Sequence, residues 1–132
     1  SNNCSNIIGI DNNASSIKNA QKNAKLNNID NIKFILADLN KSFKSIINEN
    51  NIPEPDLIIL DPPRPGLNPK TIKNIIDFNP HKIIYVSCNP STQARDINEL
   101  MNSGYLVDTI QPIDMFPHTP HIESIIKLIR TN

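Results

Sequence analysis

Cys88 lies between a predicted strand and a predicted helix, and it is the side chain of this sequence best suited to covalent chemistry. The apolar run 83–86 predicts a buried strand, and 91–102 predicts the helix that follows it. The Asn-Pro pair at 89–90 forces a turn between them, and Ser91 is a suitable N-cap. A thiol near the positive end of a helix favours the nucleophilic thiolate. The alternative is a small buried side chain that only packs.

Three acidic residues each close a predicted strand, namely Asp11, Asp38 and Asp61. In an open α/β sheet such strand ends face one crevice. An acid there can accept hydrogen bonds from both ribose hydroxyls of a nucleoside, and an acid one strand further out can receive an adenine amino group. Aspartate also starts turns and caps helices. Three in succession, each after a strand, favour a site for a nucleoside cofactor.

A proline-rich segment follows the third predicted strand, and residues 61–66 are called the proline loop below. Its prolines stiffen the backbone and direct the Asp61 carboxylate and nearby carbonyls towards the crevice. Such a loop can hold a planar, hydrogen-bonding target beside a cofactor. Arg64 could contact a phosphate or pair with a carboxylate, and its type alone leaves both roles open.

Predicted strands alternate with predicted helices along the chain. The strands are 6–11, 32–38, 56–61, 82–87, 105–110 and 122–129, and the helices are 14–27, 42–48, 69–78 and 91–102. This alternation predicts an α/β fold with a parallel, helix-covered sheet. The direction of the last strand stays open. We expect one domain over 1–132, without repeats or an internal linker.

The composition of the chain limits the classes of protein to which it can belong. The 132 residues carry a formal net charge of zero, whereas a stand-alone nucleic-acid binder usually has a basic excess. Cys4 and Cys88 provide neither a disulfide framework nor a metal-ligand cluster, so we expect no metal and a reducing, cytoplasmic location. No stretch is long and apolar enough to cross a membrane.

Four blocks of the sequence, in this order, resemble the catalytic domain of the S-adenosylmethionine-dependent RNA uracil-C5 (5-methyluridine) methyltransferases. The blocks are 8–11, 61–66, 85–90 and 114–123. With their spacing they cover essentially the whole chain; the last two are highly specific, and the first is common to many nucleotide-binding sheets. The resemblance implies a Rossmann-like class I methyltransferase sheet with flanking helices.

The resemblance also implies a role for each candidate residue. Cys88 is the nucleophile and Glu123 the general base. Asp11 is the ribose ligand of S-adenosyl-L-methionine, and Asp38 is a contact on the adenine side. Asp61 lies between the cofactor and the target uracil. The implied substrate is RNA, either transfer or ribosomal, and no protein partner is expected.

The implied reaction accounts for these residue types. A thiolate that attacks carbon 6 of uracil makes carbon 5 nucleophilic enough to accept a methyl group, and a carboxylate then removes the carbon-5 proton. A stacked base cannot reach such a pocket, so we expect it to flip out. His118 and His121 also fall in the fourth block, and we expect structural hydrogen bonds from them rather than a catalytic step.

Three other interpretations are weaker. An amino-group methyltransferase could use the proline loop, but that chemistry needs no thiol. RNA cytosine-C5 methyltransferases use two cysteines, one of them in the proline loop, and this loop has none. A non-catalytic nucleotide-binding or assembly domain would need neither Cys88 nor Glu123.

The chain departs from the family at its start. The family has a central strand and a glycine-rich cofactor loop before the 8–11 block, whereas this chain begins at Ser1 and has only Gly9, Gly66 and Gly104. The RNA-binding β-barrel, the connecting domain and the iron–sulfur cysteines of the family are also absent. We therefore expect the C-terminal portion of a catalytic domain, lacking the first strand and the glycine-rich loop. We expect that this piece alone binds cofactor weakly and is inactive.

Overall fold

The computed structural model describes residues 4–39, 43–115, 117–119 and 121–131. Outside the described residues lie Ser1, the start of the predicted helix 42–48 at Ser42, and two residues of the fourth block 114–123, Phe116 and Pro120. Contacts group the chain into two compact units, 1–50 and 51–132, and each unit is described by itself. Within the described ranges, no helix combines the length and the apolar character that crossing a membrane requires.

The first unit is a parallel pair of strands with two helices. Its elements are β1 (Ile7–Asp11), α1 (Ala14–Leu26), β2 (Ile32–Leu36) and α2 (Phe43–Asn50). The strands β1 and β2 pair in parallel, and Asp11 is in register with Leu36. The side chain of Asn13 caps α1 by accepting hydrogen bonds from the backbone N–H groups of Ser15 and Ser16. Asp38 lies two residues beyond β2, so the predicted strand 32–38 ends earlier than expected.

The second unit contains a four-stranded sheet. Its elements are β3 (Leu57–Leu60), α3 (Pro69–Phe78), β4 (Lys82–Ser87), α4 (Pro90–Met101), β5 (Tyr105–Ile113) and β6 (Glu123–Arg130). The strand order is β3-β4-β6-β5; β3 and β4 are parallel, and β6 is antiparallel to both of its neighbours. The direction that the sequence left open is therefore antiparallel. The predicted fifth strand, 105–110, continues to Ile113 because pairing with β6 extends it.

The core of the second unit lies between this sheet and its two helices. Every second residue of β4 is buried, as expected for a strand with one face on a core. The buried apolar cluster comprises Ile72, Ile75, Ile83, Tyr85, Ile97, Leu100, Tyr105, Ile126 and Leu128. Burying one such side chain stabilises the folded state by roughly 1.5–3 kcal/mol relative to leaving it exposed to water. The apolar contacts therefore hold α4 firmly against β4.

Helix α4 begins earlier than predicted. It starts at Pro90, and its N-cap is Asn89, whose side-chain Oδ1 accepts from the N–H of Ser91 at 3.2 Å. The prediction that Ser91 is the cap is therefore wrong. Proline is well suited to the first helical position, because its missing N–H would have no intrahelical partner there, and asparagine caps as well as serine.

Candidate active site

Asp61, Cys88 and Glu123 lie at the same edge of the four-stranded sheet. Strands β3 and β4 run in parallel with Leu60 in register with Tyr85, so both carboxyl ends reach the same edge. Asp61 directly follows β3, and Cys88 directly follows β4. Glu123 is the first residue of the antiparallel β6, which begins where β4 ends.

The strand register makes Cys88 and Glu123 neighbours. The final pair of the β4–β6 ladder is Ser87 with Ser124. One step forward from Ser87 is Cys88, and one step back from Ser124 is Glu123, because the two strands are antiparallel. Both residues are partly buried, and the thiol is free. The fold thus brings together a thiol and a carboxylate from positions 35 apart in the sequence (123 − 88).

Ser87 fixes the turn that carries Cys88. Its side chain is only 1% exposed. The hydroxyl Oγ accepts from the backbone N–H of Asn89 at 3.0 Å and donates to the carbonyl of Asn89 at 3.3 Å. These two bonds span Cys88, so the backbone that presents the thiol is held by side-chain hydrogen bonds as well as by the sheet.

Gln93 joins the ends of the two strands that carry Cys88 and Glu123. Its Nε2 donates to the carbonyl of Tyr85 in β4 at 2.9 Å and to the carbonyl of Ser124 in β6 at 3.1 Å. Gln93 is 1% exposed. Gln93 was not among the predicted site residues, although it lies four residues after Asn89 and therefore on the same helix face.

Helix α4 also binds the proline loop. The carbonyl of Arg64 accepts from Asn89 Nδ2 at 3.2 Å and from Thr92 Oγ1 at 3.0 Å. The carbonyl of Pro65 accepts from Arg95 Nη2 at 3.1 Å. Proline-rich backbone offers few N–H donors, so its carbonyls are the groups through which a neighbour can hold it.

Asp96 is a fully buried carboxylate at the centre of these contacts. Its Oδ2 accepts from the Tyr85 hydroxyl at 2.6 Å and from the Leu67 N–H at 2.7 Å. Its Oδ1 accepts from Arg95 Nε at 2.9 Å and from Nη2 at 2.6 Å. Burial, followed by the hydrogen bond to Asp96, raises the pKa of the Tyr85 phenol well above its usual range. Asp96 therefore has the partners that a buried charge requires.

The other two predicted acids lie together in the first unit. Asp11 ends β1, and its carbonyl accepts from the Ala37 N–H at 3.0 Å, next to Asp38. The Asp11 side chain is exposed, and within the described residues its carboxylate accepts one hydrogen bond, from the Asn13 N–H at 2.7 Å. A carboxylate with remaining acceptor capacity fits the two ribose hydroxyls of a nucleoside.

The two histidines of the fourth block lie on an exposed turn. His118 has a left-handed backbone (φ 66°), and the N–H of His121 donates to Thr119 Oγ1 at 3.3 Å. These backbone features fit a tight turn. The structural role of the imidazole rings stays a prediction.

Comparison with solved structures defines the class of protein. A tRNA (uracil-54, C5)-methyltransferase of Pyrococcus abyssi superposes with a TM-score of 0.78 at 38% identity, covering 94% of this chain and 29% of that one. An N-methyltransferase of Bradyrhizobium japonicum superposes with a TM-score of 0.75 at 13% identity, covering all of this chain and 70% of that one. The predicted α/β class I methyltransferase fold is confirmed.

The family follows from the sequence comparisons. The model of the tRNA (uracil-5-)-methyltransferase family matches residues 1–131, and the chain belongs to this family. It is 42% identical over 124 residues to an uncharacterized RNA methyltransferase of Clostridium tetani, and 42% identical over 124 residues to a tRNA (uracil(54)-C(5))-methyltransferase of Pyrococcus furiosus. Each alignment covers 94% of this chain but only 26% and 28% of these relatives, so the chain spans about a quarter of their length.

Proposed function

We propose that the intact protein is an enzyme that methylates carbon 5 of a uridine in transfer or ribosomal RNA. The observation that carries this proposal is the register that places Cys88 beside Glu123. Family membership supports it, and so do the relatives named for uracil-54 of tRNA. Both cysteines are free, as in a reducing compartment, and we place the enzyme in the cytoplasm.

The cofactor of this proposal is S-adenosyl-L-methionine, whose sulfonium supplies an electrophilic methyl group. The P. abyssi relative was solved with S-adenosyl-L-homocysteine, the demethylated product. Asp11 would accept hydrogen bonds from the ribose hydroxyls, and Asp38 would contact the adenine side. The exposed Asp11 carboxylate at the carboxyl end of a parallel strand suits this role.

The proposed reaction begins at Cys88. Its thiolate adds to carbon 6 of the flipped uracil, an S–C6 bond forms, and the electron pair of the C5–C6 double bond moves into an enolate. Carbon 5 would then be nucleophilic and would accept the methyl group, while the bond between the methyl group and the sulfonium sulfur breaks and S-adenosyl-L-homocysteine is the leaving group. Asp61 and the proline loop would hold the edge of the base, because their polar groups lie at the same edge of the sheet as the thiol.

Glu123 completes the cycle. Its carboxylate takes the proton from carbon 5, the C5–C6 double bond re-forms, and the S–C6 bond breaks to release the thiolate. A base on the strand next to Cys88 needs no large movement between the two steps. The Gln93 bond to the Ser124 carbonyl fixes the start of that strand.

Methyl transfer by matched cysteine variants tests the proposal. The intact protein, incubated with labelled S-adenosyl-L-methionine and unmodified RNA, should yield 5-methyluridine on nucleoside analysis. Cys88→Ala should abolish this product, and Cys4→Ala, at the other free cysteine, should not. An N-methylated nucleoside formed equally well by Cys88→Ala would contradict the proposal and indicate an amino-group methyltransferase.

A further inference from the structure

Helix α4 turns a polar face towards the interior. Asn89, Thr92, Gln93 and Asp96 follow the spacing i, i+3, i+4, i+7, at which a core-facing helix normally carries apolar side chains. Gln93 and Asp96 are 1% and 0% exposed. Buried carboxylates and amides are costly to desolvate, and apolar replacements are often neutral or stabilising. Stability alone therefore does not explain this face.

The partners of this face are segments that carry the proposed site residues. Asn89 and Thr92 bind the Arg64 carbonyl, three residues after Asp61. Asp96 binds the N–H of Leu67, directly after the proline loop. Gln93 binds the strand ends that lead to Cys88 and Glu123. One helix face thus contacts all three segments.

Gly66 shows how closely the proline loop approaches this face. Its φ is +82°, and a Cβ placed there would lie 2.6 Å from Asp96 Oδ2 and 3.1 Å from Thr92 Cβ. The Gly66 N–H donates to the Pro63 carbonyl at 2.8 Å, which closes a tight turn. With Arg64 and Leu67 bound on either side of this turn, the proline loop has little freedom to shift along α4.

We propose that Thr92 and Asp96 are positioning residues for methyl transfer, which set the place of the proline loop relative to Cys88 through the Arg64 carbonyl and the Leu67 N–H. The inference rests on the proposed function. Neither residue has to touch the uracil. Their loss should lower kcat and leave the KM for S-adenosyl-L-methionine unchanged, because a misplacement of about 1 Å can slow a reaction about 10²-fold.

Thr92 allows the sharper test, because its hydroxyl can be removed without a change of side-chain volume. In the intact protein, Thr92→Val should lower kcat roughly tenfold, a smaller loss than the 10²-fold that a shift of about 1 Å costs. Thr92→Ser keeps the hydroxyl and should restore most of the rate. Thr109→Val is the matched control, because the Thr109 hydroxyl bonds only the neighbouring, exposed Asp108 carboxylate among the described residues. This control should not change kcat.

Asp96→Asn is the second variant and should lower kcat about 10²-fold. Hydrogen exchange at Gly66 and Leu67 reports directly whether each variant has freed the proline loop. Faster exchange with a lower kcat supports the inference, whereas faster exchange at an unchanged kcat for both variants overturns it. A kcat loss in Thr92→Val that Thr92→Ser does not restore also overturns it. A wild-type protein that makes no 5-methyluridine overturns the proposed function together with this inference.

Discussion

Cys88 and Glu123 show how neighbouring strands can place side by side a thiol and a carboxylate that are distant in sequence. Each residue is at the end of its strand, and the Ser87–Ser124 pair aligns the two ends. Both side chains are partly buried, and neither is fully enclosed. In the proposed reaction, proximity of this kind would remove much of the entropic cost of bringing the reacting groups together.

Glu123→Gln should stop the reaction after methylation. The amide cannot take the carbon-5 proton, so the cysteine cannot be expelled and the methylated protein–RNA adduct should accumulate. Turnover should fall about 10²- to 10⁴-fold, the usual contribution of a general base. Steady-state methyl transfer and a denaturing gel measure the two effects. Glu99→Gln, at an exposed residue of α4, is the control and should show neither.

Tyr85 should contribute stability that is lost at high pH. Burial, followed by the Asp96 hydrogen bond, raises the phenol pKa in the folded state above its ordinary value of 10.0. The contribution is therefore fully present below about pH 10 and is lost as the pH rises through the folded pKa. Tyr85→Phe should lower the free energy of unfolding by roughly 1–3 kcal/mol at neutral pH, because Asp96 loses a donor.

Urea unfolding at pH 8 and pH 11 measures this effect. The free energy of unfolding of the wild type should approach that of the Tyr85→Phe variant at the higher pH. The pKa of Tyr105 is also raised by burial, but Tyr105 is present in both proteins and cancels in the difference. A stability gap between the two proteins that is the same at both pH values would contradict the assignment to Tyr85.

At the scale of elements, α4 contributes more to the site than its sequence indicates. Local patterns predicted α3 and β4 with their observed bounds, because apolar spacing and a proline near the helix start suffice for both. They did not predict the roles of Gln93 and Asp96, because the partners of these residues are distant in sequence. The Gln93–Ser124 and Asp96–Leu67 bonds join positions 31 and 29 apart. Such bonds depend on tertiary packing, which a single sequence does not show.

Gly66→Ala should damage both stability and activity. The new Cβ would be 2.6 Å from Asp96 Oδ2 and strained at φ +82°. A sparsely populated backbone conformation costs of order 1–3 kcal/mol, and the clash adds to it. Gly104→Ala is a matched control. Gly104 also has a positive φ, +95°, but a Cβ placed there would lie 3.6 Å from Thr131 Oγ1, which is an ordinary contact distance.

Thermal melting and kcat measurements distinguish the effects of the two glycine substitutions. Gly104→Ala should lose stability and keep the wild-type kcat in the folded protein. Gly66→Ala should lose stability and also kcat, because it displaces the proline loop from α4. Equal kcat for the two variants, measured well below both melting temperatures, would show that contact between the loop and α4 does not matter for turnover.

At the scale of the whole molecule, the candidate residues divide between the two units. Asp11 and Asp38 belong to the first unit, and Asp61, Cys88 and Glu123 to the second. The sequence predicted the α/β fold, because alternating strand and helix patterns are local. It did not show which strands pair, since β1 and β2 form one sheet and the other four strands form another. Pairing depends on contacts between distant segments, to which periodicity is insensitive.

The proposed division of roles predicts that cofactor affinity and chemistry can be separated. Asp11→Asn in the intact protein should weaken S-adenosyl-L-methionine binding about tenfold, equivalent to about 1.4 kcal/mol, because the ribose hydroxyls lose a charged acceptor. Cys88→Ala should bind it as wild type does. Calorimetric titration measures the affinity of both variants for S-adenosyl-L-methionine. The control is Asp30→Asn, at an exposed aspartate of the first unit, which should bind as wild type does. Weakened binding in Asp30→Asn, or wild-type binding in Asp11→Asn, would contradict the role of Asp11.

The most direct test of the central claim, that Cys88 bonds to the target uracil, is a covalent trap. RNA that carries 5-fluorouridine should stall the intact protein on its substrate, because carbon 5 then carries fluorine in place of the proton that a base removes. With S-adenosyl-L-methionine present, we predict a protein–RNA adduct that survives denaturation, maps to Cys88 by mass spectrometry, forms in Cys4→Ser and is absent in Cys88→Ser. Formation of 5-methyluridine from ordinary RNA without any adduct on Cys88 in the trap would contradict the account.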